Sequence, residues 1–290
     1  GSEMCIRDRK PTETYSEELV WGSRSTADAF VLRTYPDILG LYHDFWGDDQ
    51  ITLNTILRQS CPGEARDLIN REHDFGFNKF SIIRRCNLII EQASASTALS
   101  DLDKKELVAE GKMLRAMIYY YQAKHCGRVI WVDRVLQVDD EFNLPLTESI
   151  DRTYDLILSD LDDAIAGLPE EYPAGRANAN AARALKSEVC LTAAAYTTDA
   201  TRKKTLWEQA VVAVDAIQGY SLDANYGGMF NQENSYSSTE IILARYFSKE
   251  NTNGGDTYMQ TVIPNQGNDN LKKLGRGCLL YTSPRPRDRG

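Results

Sequence analysis

The sequence has no uninterrupted run of 18 or more apolar residues, so it offers no candidate transmembrane helix. Its first residues are polar and charged, so no secretory leader is read there, and no apolar segment precedes Cys5 to mark it as a lipid-anchor cysteine. The six cysteines form no C-x-x-C pair, and none lies at zinc-ligand spacing with the three histidines. That excludes the common zinc and thiol-redox frameworks. Cys86, Cys126 and Cys190 fall inside apolar helical patterns and are expected to pack as small hydrophobes. Positive charge is also short. Lys and Arg number 33 against 42 Asp and Glu, and the net charge of −9 argues against nucleic acid or an anionic membrane surface as the main partner.

Catalytic signatures are missing too. There is no G-x-S-x-G elbow, Walker A loop, G-x-G-x-x-G or H-E-x-x-H. His43, His73 and His125 lie apart, with no nucleophile beside them in sequence. His125 ends a helical pattern, where the dipole favours a cation, and is expected to be structural. The acidic doublets Asp48–Asp49, Asp139–Asp140 and Asp162–Asp163 are consecutive residues. Neighbours in sequence cannot face each other across a sugar as a glycosidase's two carboxyls must, so solvated faces are expected. No catalytic residue, metal ligand or cofactor is expected.

What is present describes a globular, mostly helical chain. A hydrophobic share of 42% and a charged share of 26% over 290 residues can bury a sizeable core without a disulfide or metal. Tyr is plentiful at 15, with 4 Trp. The two ends differ from the rest. SEMCIRDR at Ser2–Arg9 and CLLYTSPRPRDRG at Cys278–Gly290 share neither its pattern nor its composition. Residues 1–9 and 278–290 are therefore set apart as foreign or disordered tails. The helical domain spans 10–247, and 248–277 is loop-rich.

Helical periodicity recurs along the domain. Ser25–Gly40 has Ala29, Leu32, Tyr35 (or Pro36) and Leu39 on one face, and Pro36 is expected to kink or end it. Phe77–Glu91 carries Phe80, Ile83, Asn87 and Ile90. Ser100 with Asp103 reads as a capping box opening the strongest helix. That helix has two apolar stripes, Leu107–Gly111–Leu114–Ile118–Tyr121 and Ala109–Met113–Met117–Tyr120, which imply burial from several sides; Gly127 stops it. Val129–Pro145 has no helical period. Ile150, Tyr154, Ile157, Leu161, Ile165 and Leu168 form the next stripe, ended by Pro169. Asn178 or Asn180 caps a helix with Ala182, Leu185, Val189, Thr192 and Tyr196 inward. Thr205–Gln218 follows, and EIILARYF at Glu240–Phe247 reads as a possible strand.

Short turns between helices predict antiparallel neighbours. The expected fold class is mostly all-α: stacked antiparallel helical pairs of tetratricopeptide-like type with loop-rich, partly irregular segments. The tetratricopeptide motif itself is not cleanly present.

Six features in order resemble the SusD/RagB family of outer-membrane nutrient-binding lipoproteins. They are Phe80–Ile83–Asn87 (Phe for the family's Tyr), Arg115–Ala116 followed by Tyr119–Tyr120, and Gly127 with its apolar run (Ile130 where Pro is common). After them come Ile157–Asp160–Leu161–Ala164–Leu168–Pro169, Gly175–Arg176 followed by Ala181–Ala182, and Tyr220–Leu222, Tyr226, Phe230 and Glu240–Ile242. The resemblance covers roughly Thr14 to Phe247 and implies an incomplete family domain. Asn87, Arg115, Tyr119, Tyr120, Asp160 and Arg176 are expected to be structural, with Asp160 accepting from Arg176 or Arg183 in a fork that pins two helices.

The resemblance implies a glycan- or nutrient-binding subunit, without catalysis or cofactor. It implies a surface-exposed lipoprotein of the bacterial outer membrane that hands oligosaccharide to a TonB-dependent, SusC-like transporter. Family members place aromatic ligand residues just before the Phe80 helix, where this chain offers Trp46, Arg71 and His73. Trp46, beside Gly47, is the candidate stacking residue; Trp21, Trp131 and Trp207 are expected to pack. Two other readings stay open: a helical-repeat adaptor with a protein-binding groove, and an all-α glycosidase.

Overall fold

A computed structural model describes residues 17–43, 55–57, 77–227, 237–246 and 280–282. Among them are α1 (Glu17–Val20), α2 (Arg24–Leu39), β1 (Thr55–Leu57), α3 (Phe80–Ala95), α4 (Asp101–Cys126), α5 (Ile150–Gly167), α6 (Ala179–Tyr196), α7 (Ala200–Asp215) and β2 (Leu280–Thr282). The chain divides into two units. The first comprises residues 1–38, 79–222 and 239–243 and contains α3 to α7 entire.

Helix α4 is the axis of this unit. Its start is set by Ser100, whose Oγ accepts from the Asp103 N–H at 3.1 Å and donates to the Asp103 carboxylate at 2.6 Å. It ends where Gly127 takes φ +75°, a conformation that side-chain-bearing residues rarely adopt. Fourteen of its 26 residues are buried, more than contact on one side can provide.

The neighbours of α4 run antiparallel to it. On α3, Asn87 lies level with Arg115 and Ile90 level with Gly111. On α5, Asp160 lies level with Arg115 and Gly167 level with Ala109. A Cβ on Gly167 would sit 2.5 Å from that of Ala109, so glycine is what allows α4 and α5 to approach this closely. Helix α6 returns beside α5, with Asp162 paired to Lys186 and Tyr154 stacked on Tyr196. Helix α7 returns beside α6. Each helix of the series packs against the next in the expected stacked antiparallel arrangement, through short turns except between α4 and α5, which residues 127–149 join.

Ser149, Asn178 and Asp199 cap α5, α6 and α7 through side-chain oxygens that accept backbone N–H groups. Asn178, not Asn180, is therefore the cap of α6. Helix α7 starts at Ala200, five residues before the expected Thr205, because Asp199 accepts from both Thr201 and Arg202.

Several expectations are corrected. In α2 the inward face is Ala27, Val31, Thr34, Tyr35 and Ile38, while Ala29 and Leu32 are exposed. The helix continues three residues past Pro36, because a proline in the last turn forfeits only one backbone bond. Tyr196 is 46% exposed and Trp207 is 52% exposed, so neither is a core residue. Trp21 is buried with its ring edge-on to Phe30, as expected of a packing residue. Glu240–Tyr246 forms no strand; Phe247 lies outside the described residues.

In the second unit, residues 41–43 form a single 3-10 turn. Strands β1 and β2 pair antiparallel, with Ile56 opposite Tyr281. Strand β2 falls within the segment 278–290 that composition sets apart.

Candidate functional site

Trp46, Arg71 and His73, the expected ligand-contacting residues, lie outside the described residues. The six expected structural residues all lie in the first unit, where they build a buried polar frame around α4. Arg115 forks onto Asp160: Nε reaches Oδ2 and Nη2 reaches Oδ1, each at 2.7 Å. Arg115 Nη1 donates to Asn87 Oδ1 at 2.9 Å and to the Asp133 carbonyl at 3.1 Å. The Asn87 amide donates to the carbonyls of Val132 and Arg134 at 2.9 Å each. The Tyr119 hydroxyl accepts the Val132 N–H at 2.6 Å. Together these contacts fasten the aperiodic run after Gly127 to the helices, and Trp131 stacks on Tyr119 with centroids 4.2 Å apart. Tyr120 is buried, with its hydroxyl on Glu188 and Thr192. His125, in the last turn of α4, bonds the Tyr121 carbonyl through Nδ1 at 2.8 Å.

The expected partner of Asp160 is corrected. Arg176 instead forks onto Glu110, at 2.8 and 2.6 Å, and reaches Asp28 at 2.6 Å. Arg183 forks onto Glu170 at 2.5 and 2.6 Å. The reason is register. Arg115 lies level with Asp160 across the antiparallel α4–α5 pair, whereas Arg176 sits in the following turn, beside the earlier part of α4. Glu110, fully buried, was missed. Its signal was available: a carboxylate between Ala109 and Gly111, wedged between two apolar stripes, requires a buried cation.

Tyr35 completes this second cluster, donating to Glu110 Oε1 at 2.5 Å and accepting the Ala177 N–H at 2.9 Å. Burial, with the Glu110 carboxylate adding to it, pushes the Tyr35 phenol well above its usual range, so it remains a neutral donor. Arg24 gathers Asp28, Asp103 and Glu106 at 2.9, 2.6 and 2.8 Å. Burial raises the Asp28 carboxyl, but the guanidinium groups of Arg176 and Arg24 outweigh it and hold the group below its usual range. Burial pushes the Cys86 and Cys190 thiols up to about 12 and about 11, so neither is a thiolate nucleophile at neutral pH.

Two of the surface depressions in this unit differ sharply in chemistry. One, of 380 Å³, is apolar, lined by Phe80, Ile83, Ile130, Val132, Leu136 and Phe142 among others. The larger, of 830 Å³, is polar. It lies between the α5–α6 turn, the start of α6 and the segment after α7, and its lining includes Glu170, Glu171, Tyr172, Asn178, Arg183, Gln218 and Tyr220. Sequence reading passed over it because its walls come from three separate segments.

No family model matches the chain. It is 26% identical over 172 residues to a SusD-like protein of Bacteroides ovatus, covering 58% of this chain and 31% of that one. It is 25% identical over 199 residues to SusD-like protein P25 of Formosa agariphila, covering 64% of this chain and 35% of that one. The chain thus spans about a third of the length of these curated relatives. In fold it matches a SusD-like carbohydrate-binding protein of Bacteroides fragilis with a TM-score of 0.73 at 19% identity, over 91% of this chain and 52% of that one. It matches a laminarin-binding SusD-like protein with a TM-score of 0.62 at 20% identity, over 76% of this chain and 50% of that one. At those identities the structural likeness speaks for the fold, and the ordered motifs and the two relatives speak for the sequence. Together they make the chain similar to SusD-like proteins in sequence and in fold.

Proposed function

We propose that the protein binds a glycan at the bacterial outer membrane and delivers oligosaccharide to a TonB-dependent, SusC-like transporter. In this reading it belongs to a surface-exposed lipoprotein and catalyses no reaction. The observation that carries the proposal is kinship with SusD-like proteins, in motif order and in fold, among which are a carbohydrate-binding and a laminarin-binding protein. Physical chemistry supports it. The net charge of −9 suits a neutral ligand better than an anionic one.

Trp46 is the proposed stacking residue, with Arg71 and His73 reading hydroxyl groups from the same segment. Aromatic rings suit the apolar C–H faces of sugars, and the charged side chains suit their hydroxyls. The test is affinity gel electrophoresis of the whole chain against a panel of neutral polysaccharides, with Trp46→Ala run beside it. Retardation by one glycan, weakened in the variant, supports the reading. A folded chain that no glycan retards contradicts it and favours the protein-binding adaptor.

A further inference from the structure

We infer that the 830 Å³ polar cleft beside the start of α6 is a second ligand site, one that takes a neutral, hydroxyl-rich group such as an oligosaccharide end. Naming the ligand a sugar rests on the glycan-binding reading; the chemistry of the cleft is argued from its own residues.

The floor is preorganised. Asn178 accepts the Ala181 N–H through Oδ1 at 2.9 Å and donates through Nδ2 to the Tyr220 hydroxyl at 3.0 Å. Asn180 Oδ1 accepts from Arg183 Nη1 at 2.8 Å and from the Gln218 N–H at 3.4 Å, while its Nδ2 donates to the Gln218 carbonyl at 3.3 Å. With the Arg183 fork onto Glu170 in the α5–α6 turn, the three wall segments are tied together before any ligand arrives, so little ordering cost falls on binding.

Three side chains keep capacity to spare. The Tyr220 hydroxyl accepts from Asn178, which leaves its own proton to donate. Among the described residues, neither the Glu171 carboxylate nor the Gln218 carboxamide has an internal partner. A carboxylate accepts from two adjacent hydroxyls, a carboxamide both donates and accepts, and a phenol donates. That mixed set suits vicinal diols.

Charge narrows the class further. Arg183 neutralises Glu170 through its fork, so Glu171 leaves the cleft with one net negative charge, which disfavours anions. Among the described residues no group of three or more His, Cys, Asp or Glu is placed to hold a metal ion. The volume lies within the roughly 300–1,000 Å³ typical of small-molecule sites.

The test is titration calorimetry of the full chain with neutral oligosaccharides, laminari- and xylogluco-oligosaccharides as probes. Wild type is compared with Glu171→Ala/Gln218→Ala, with Tyr220→Phe and with Trp46→Ala. The substituted cleft atoms lie at the rim, and Tyr220→Phe removes one hydroxyl, so a folded chain by circular dichroism is the expected control. The double variant should bind roughly tenfold more weakly or lose one class of site, consistent with hydrogen bonds to a charged group. Trp46→Ala should leave that class intact. If wild type binds sugar and both cleft variants bind it unchanged, the cleft proposal is overturned and the glycan-binding reading stands. If wild type binds none of the probes, both are overturned.

Discussion

Glu110→Gln is the substitution that most sharply tests the frame around α4. The Glu110 side chain is fully buried, and its carboxylate receives three hydrogen bonds: two from Arg176, at 2.8 and 2.6 Å, and one from Tyr35, at 2.5 Å. Glutamine keeps the shape but removes the charge, and it turns one acceptor oxygen into a donor that faces a guanidinium. Arg176, its side chain 7% exposed, would keep Asp28 as its only carboxylate. Stranding one partner of a buried pair costs about 3–5 kcal/mol, a large share of the roughly 5–15 kcal/mol that holds a domain folded. Lys204–Glu208, with side chains 77% and 64% exposed, is the control; breaking it should cost less than about 0.5 kcal/mol. Adding Arg176→Met to Glu110→Gln should restore part of the loss, because the unpaired charge is then gone. Urea denaturation followed by far-UV circular dichroism reads the wild type, the surface control, Glu110→Gln, Arg176→Met and the double variant. A Glu110→Gln cost as small as that of the surface control, or a double variant less stable than the sum of the singles, would refute the reasoning.

Three further outcomes follow from the packing. Among the described residues the Tyr154 hydroxyl is buried and without a hydrogen-bond partner, so Tyr154→Phe should be neutral or stabilising by up to about 1 kcal/mol in the same denaturation assay. Gly167→Ala should destabilise by about 1–3 kcal/mol although alanine favours helix, because its Cβ would meet that of Ala109 at 2.5 Å; a rise in Tm would contradict the close approach of α4 and α5. Asp28 titrates below its usual range in the folded protein, so its contribution is complete above an unfolded-state value of about 3.9 and fades as pH falls through the lower folded value. The stability gap between wild type and Asp28→Asn should therefore be steady from neutrality to about pH 4 and close below it, as urea titrations at several pH values would show.

The helices were legible because their causes are local. Ser100 followed by Asp103, the stripe from Ile150 to Leu168 and the run of small residues after Asn178 each act within a few residues of the chain. Asp199 was equally local, and reading it as a cap would have placed the start of α7 correctly. What distance along the chain obscured was pairing. A fork between an arginine and a carboxylate was expected, but the choice among Arg115, Arg176 and Arg183 depends on the level at which antiparallel helices meet. The inward face of α2 was misread for a similar reason. Its apolar residues do not form a single stripe, and the direction of burial is set by contacts such as that between Tyr35 and Glu110, 75 positions away. The polar cleft was illegible because no single one of its three segments carries a motif. The expected ligand residues Trp46, Arg71 and His73 lie outside the described residues, so for them the sequence remains the only guide.

The central claim is that this chain binds a neutral glycan. The most direct test is a titration of the folded full chain with a panel of neutral and uronic-acid oligosaccharides, followed by intrinsic tryptophan fluorescence. Saturable binding of at least one neutral oligosaccharide, without its consumption and with the acidic ones excluded, is the predicted result. A folded chain that binds no neutral oligosaccharide, or that shortens one on incubation, would contradict it.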